Sequence, residues 1–122
     1  ELAMRDDFQL IEDPNEAYSI ISGTSLQSYI AVKPVALLWV FGKPLEGDQY
    51  KVSGEYVFKH RSGEVITVYD WKNTTLYEDG VIEPNKFWTS PKNYEFHIGA
   101  KGFDYINDFQ EWLPNEIERC FG

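Results

Sequence analysis

The segment from Lys51 to Lys72, KVSGEYVFKHRSGEVITVYDWK, constrains the fold more than any other part of the chain. Val52, Gly54, Tyr56 and Phe58 alternate with Ser53, Glu55, Val57 and Lys59, the period of two that marks a strand with one buried face. His60-Arg61-Ser62-Gly63 is a polar connection ending in glycine, which reaches positive φ without a steric penalty. Val65, Thr67 and Tyr69 then alternate with Ile66, Val68 and Asp70 in a β-branched, aromatic run. The segment predicts a β-hairpin with His60 in a solvated turn. A hairpin of this kind needs further strands and a covering layer to be stable.

The rest of the chain supplies both. Residues 1–16 form an acidic N-terminal segment, in which Phe8, Leu10 and Ile11 suggest a short edge strand and Asp13-Pro14-Asn15 a loop. Glu1-Leu2-Ala3 precede Met4, which reads as the natural start, and are set aside for the fold. Between Tyr18 and Val32 the pattern gives two strand-like pieces interrupted at Gly23, by a bulge or a turn. Lys33 to Pro44 predicts a helix: Pro34 suits the first helical position, Gly42 the residue after the last turn, and Pro44 blocks continuation. Leu45 to Tyr50 is a polar loop, and residues 73–91 a long loop punctuated by Gly80, Pro84 and Pro91. Tyr94 to Gly99 alternates as a last strand. Phe103, Ile106, Phe109 and Leu113 then share one face of a closing helix that Pro114 ends or kinks. This order predicts a single α+β domain over residues 1–122: a small antiparallel sheet with two helices on one face, in two layers.

Composition narrows the function. Twenty Asp and Glu against 11 Lys and Arg give a net charge of −9, which repels nucleic-acid phosphates and argues against direct DNA or RNA binding. The same charge favours a protein partner with a basic surface. With 16% aromatic residues the chain can fill a core and still present rings outside it. No apolar run is long enough to span a bilayer, and no secretory leader pattern is visible. One cysteine, Cys120, allows no internal disulfide, which points to the cytosol. Asn73-Thr74-Thr75 fits the glycosylation tripeptide, a match common by chance.

No catalytic set stands out. The sequence has no His-x-x-x-His, cysteine pair, EF-hand spacing, phosphate loop or Gly-x-Ser-x-Gly elbow, so neither metal nor cofactor is expected. His97 shares strand parity with Glu95, and the two make an alternative ligand or enzyme site on the face turned from the core. Tyr69 and Trp71, beside Asp70 and Lys72, are either partner anchors or rings packed beneath a helix. Phe87 and Trp88 in the long loop pose the same choice. Asp104, Asp108, Glu111 and Glu118 form an acidic stripe at helical spacing. It would steer a basic partner or imitate a phosphate backbone, unless it is only the wet side of a helix.

Gly23-Thr24-Ser25-Leu26-Gln27-Ser28-Tyr29-Ile30, Phe41-Gly42-Lys43-Pro44, Gly47-Asp48-Gln49-Tyr50-Lys51-Val52, Thr67-Val68-Tyr69-Asp70-Trp71-Lys72 and Phe96-His97-Ile98-Gly99, in this order, resemble a family of small uncharacterised proteins of bacteriophages and large DNA viruses. The resemblance runs from about Ser22 to Ile106. This chain has Tyr56 where the pattern often has tryptophan, and Ala100 where it tends to a second glycine. Membership would imply a viral accessory protein in the host cytosol and brings no catalytic residues with it. The expected function is therefore a small acidic, non-enzymatic binding protein or inhibitor that docks on a protein partner. A ligand site at His97 and an assembly role are the alternatives.

Overall fold

The computed structural model describes residues 7–47, 51–71, 82–102 and 104–120. The described residues form ten elements in the order β1 (Phe8–Leu10), α1 (Pro14–Ile20), β2 (Ser25–Val32), α2 (Pro34–Phe41), β3 (Leu45–Glu46), β4 (Gly54–His60), β5 (Val65–Tyr69), α3 (Pro84–Trp88), β6 (Tyr94–Ala100) and α4 (Ile106–Cys120). The strands make one six-stranded antiparallel sheet ordered β1-β4-β5-β6-β2, with β3 paired to β4 beside β1. The expected α+β domain is present.

The hairpin sets the two faces of the sheet. In β4 and β5, Tyr56 pairs with Val68 and Phe58 with Ile66, and all four are buried in the larger apolar cluster. That cluster also takes Leu37 of α2, Phe87 and Trp88 of α3, and Ile106, Phe109, Trp112 and Leu113 of α4. The alternate residues Val57 and Val65 lie on the other face, where they pack with Ile11 and with Ala17 of α1. So α2, α3 and α4 cover one face, and α1 covers part of the other. The two helices expected on one face are there, with α3 beside them, but α1 packs on the opposite face, so the expected two-layer arrangement is not what the described residues form.

Several local readings change for physical reasons. Asp13-Pro14-Asn15 is a helix start as well as a turn signal: Asp13 caps α1 by accepting from the Asn15 N–H at 3.2 Å, and Pro14 takes the first position. Tyr18 to Ile20 are thus helical rather than extended. Gly23 makes a turn (φ +87°), and the irregularity in β2 falls between Leu26 and Ser28. Pro84 opens α3 within the predicted long loop, while residues 73–81 lie outside the described residues. α2 starts at Pro34 and ends at Gly42 (φ +82°), whose N–H donates to the Leu38 carbonyl at 2.9 Å. α4 runs through Pro114, which stands on its exposed side, where a lost helical hydrogen bond costs least. Phe103, expected on its buried face, lies outside the described residues.

His60 departs furthest from expectation. It is the last residue of β4 and keeps the parity of Tyr56 and Phe58, so it points inward and is only 6% exposed. Its ring stacks on Tyr105 at 3.9 Å and meets the edge of Phe8 at 4.9 Å. The Ser62 N–H donates to Nδ1 at 3.1 Å. The ring is a wall of the core.

Candidate functional site

Strand order brings residues from four distant parts of the chain into one row. Glu55 of β4 pairs with Tyr69 of β5, Tyr69 with His97 of β6, and His97 with Tyr29 of β2. All four lie on the face turned from α2, α3 and α4. Paired residues in antiparallel strands stand close enough for their rings to touch. Tyr29 and Tyr69 meet the His97 imidazole edge-on, with centroids at 5.0 and 5.5 Å. Trp71, just past the end of β5, stacks on the same imidazole at 5.6 Å and 20° and lies 6.3 Å from Tyr69. The Lys51 ammonium sits 5.7 Å from the Trp71 centroid, a cation held on an aromatic face.

The patch is accessible and polarised. Tyr29 is 48% and Trp71 37% exposed, while His97 and Tyr69 are half-buried between them. Burial lowers the His97 pKa, opposed by the Glu95 carboxylate on the same face. The Tyr69 phenol is pushed up by burial first, then by the Glu55 carboxylate and Tyr29. Both shifts favour the neutral rings, and the face offers aromatic surface edged by the acids Glu55 and Glu95. Beside it lies a recess of about 280 Å³ bordered by Ser25, Glu55, Thr67, Tyr69, Trp71 and Gly99. Gly99 is required there, because a Cβ would come within 2.6 Å of the Thr67 hydroxyl.

The candidate residues divide. Tyr69 and Trp71, expected as partner anchors, and Glu95 and His97, expected as a separate ligand site, share this one face. Phe87 and Trp88 do not join them. Phe87 is fully buried and Trp88 8% exposed, so neither is a surface anchor. Phe87 packs on Tyr94 at 5.0 Å, and Trp88 on Tyr56 at 5.9 Å and Phe96 at 5.7 Å. The slot for Trp88 exists because position 54 is glycine: a Cβ there would lie 2.8 Å from the indole. The acidic stripe is elsewhere again. Asp104 precedes α4, and Asp108, Glu111 and Glu118 follow along the helix, opposite its buried Ile106, Phe109, Trp112 and Leu113. α4 covers the other face of the sheet, so stripe and aromatic row are separate surfaces.

Sequence reasoning missed Tyr29, Glu55 and Lys51. Tyr29 had a usable signal, its alternation with Ile30; Glu55 and Lys51 enter only through strand pairing and the fold of the preceding segment. Among the described residues, no group of three or more His, Cys, Asp or Glu side chains is placed to hold a metal ion. No helix among them is long and apolar enough to cross a membrane. No protein-family model matches the chain and no curated protein matches it in sequence, so the functional reading rests on this geometry.

Proposed function

We propose that this is a small acidic protein-binding module that docks a basic surface of a partner protein on the aromatic row of its sheet. The observation that carries the reading is the convergence of Tyr29, Tyr69, Trp71 and His97 on one accessible face, edged by Glu55 and Glu95. Rigid aromatic rings dominate binding energy at protein interfaces, and acids at the rim select a basic counterpart. Lys51 already sits over the Trp71 ring, so a basic partner would take its place there. The segments resembling proteins of bacteriophages and large DNA viruses include Tyr29, Tyr69, Trp71 and His97, and on that basis a viral accessory or inhibitor role in the host cytosol is part of the proposal.

An arginine-rich synthetic peptide is a suitable first probe. Trp71→Ala combined with Tyr29→Ala should weaken its binding by about 30-fold, the loss expected for a hot spot of about 2 kcal/mol. Because both side chains are over a third exposed, Tm should move by only a few degrees. Equal binding by wild type and double variant, measured by calorimetry, would remove the aromatic row from the interface.

The stripe on α4 has its own test. Asp104→Asn with Asp108→Asn and Glu111→Gln removes three charges and keeps the shapes. If the stripe steers the partner, association at low salt should slow and lose much of its salt dependence, since charges are screened beyond about 8–10 Å at physiological ionic strength. An unchanged on-rate would make the stripe the solvated side of a helix and nothing more.

A further inference from the structure

A second surface lies at the opposite edge of the sheet from β2. β1 is the outermost strand there, paired on one side with β4 through Phe8–His60, Gln9–Lys59 and Leu10–Phe58. The hydrogen bonds at its ends fix which backbone groups face inward. The Arg61 N–H donates to the Asp7 carbonyl at 2.9 Å, and the Ile11 N–H to the Val57 carbonyl at 2.8 Å. Antiparallel pairing alternates, so Asp7, Gln9 and Ile11 turn their backbone groups to β4, while Phe8 and Leu10 turn theirs outward. Among the described residues no strand and no hydrogen bond uses that outer edge.

The space beside the edge is shaped for a strand. A groove of about 580 Å³ is bordered by the consecutive residues Phe8, Gln9 and Leu10, which places it along the strand's edge rather than on one face. Its other wall is helical: Phe41 at the end of α2, and Trp112, Glu116 and Cys120 of α4, spaced i, i+4, i+8 along one stripe. The groove thus lies between the edge of β1 and the two helices. Apolar side chains from a strand laid there would turn up to Phe41 and Trp112, and its backbone would meet Phe8 and Leu10. Glu12 and Glu116 line the groove; Arg119 pairs with Glu116 at 2.7 Å, so Glu12 gives the groove the negative sign of the whole molecule.

We propose that the outer edge of β1 takes an extended segment of a partner protein as an added strand, apolar on its helix-facing side and carrying basic residues at its ends. Main-chain hydrogen bonds provide the register, and the alternate side chains provide selectivity. The inference is independent of the aromatic row.

The test uses a short synthetic peptide alternating valine and threonine, with lysine at each end, and amide hydrogen exchange on the full chain. At saturating peptide the Phe8 and Leu10 amides should exchange at least tenfold more slowly, while Gln9, turned to β4, stays as it was. A counterpart peptide, N-methylated on the amides of the pairing edge, should bind at least tenfold more weakly. Glu12→Lys should weaken the parent peptide several-fold at low salt. Unchanged Phe8 and Leu10 exchange, or equal binding of both peptides, would overturn the proposal. So would protection of those amides in the free protein, since the edge is then already occupied. Protection that rises with protein concentration alone would overturn it in favour of a second copy of the chain.

Discussion

Replacing Trp88 with alanine should unfold this protein more readily than almost any other single change. Trp88 is 8% exposed, contacts Tyr56, Phe87 and Phe96, and donates from Nε1 to the Ser53 hydroxyl at 3.0 Å. Truncating a buried tryptophan costs about 3–5 kcal/mol, because transfer energy is lost and a cavity remains. For a domain of this length that is a fall in Tm on the order of 10–20 °C. Thermal denaturation followed by circular dichroism would measure it. A shift of a degree or two would return Trp88 to the list of surface anchors.

Asp70→Ala comes next, through a hydrogen-bond network instead of packing. Asp70 is fully buried just past β5. Its Oδ1 accepts from the Ser53 and Gly54 N–H groups at 2.9 and 3.0 Å, and its Oδ2 from the Ser53 hydroxyl at 2.8 Å. One carboxylate thus ties the start of β4 to the end of β5, and through Ser53 to Trp88. Alanine would leave the buried Gly54 N–H without its acceptor and remove both bonds to the part-buried Ser53, a total loss of about 3 kcal/mol. Since Ser53 bridges the two side chains, the Trp88→Ala and Asp70→Ala losses should not add. A coupling of about 0.5–3 kcal/mol is expected from the double-mutant cycle, and simple additivity would break the proposed link.

The same carboxyl predicts a pH dependence. Burial pushes the Asp70 pKa above its ordinary value of 3.8, against the pull of its hydrogen bonds from Gly54 and Ser53. A group whose folded-state pKa is raised contributes stability that is fully present below the unfolded value and is lost as pH rises through the folded value. Asp70→Asn does not titrate there, and other groups cancel in the comparison. The stability of wild type relative to Asp70→Asn should therefore be greatest at the acid end and decline as pH rises past 3.8. A difference that is flat across that window would exclude the shift.

What was legible in the sequence was what is encoded locally. The hairpin and α2 follow from alternation and from paired start and stop residues within a dozen positions. α1 was misread because Asp13-Pro14-Asn15 carries two meanings, and only burial of Ala17 against Val57 and Val65 decides between them. Phe87 and Trp88 present the same letters whether they fill a core or wait on a surface; the gap left by Gly54 decides. At the candidate site, residue type singled out Tyr69, Trp71, Glu95 and His97, but not their meeting. That meeting depends on β6 returning between β5 and β2, a property of topology that no window of neighbouring residues contains.

The cross-sheet row has a consequence for what a partner can sense. Positions 29, 55, 69 and 97 meet only when four strands are in register, so no linear fragment of the chain can present the face. Recognition there is conformational, and occupancy is thermodynamically linked to the integrity of the whole domain. A partner at one hundred times its Kd would add about 2.7 kcal/mol to the unfolding free energy. A chain nicked or truncated within the sheet would lose its partner along with its fold, and the two losses would be one event seen by different assays.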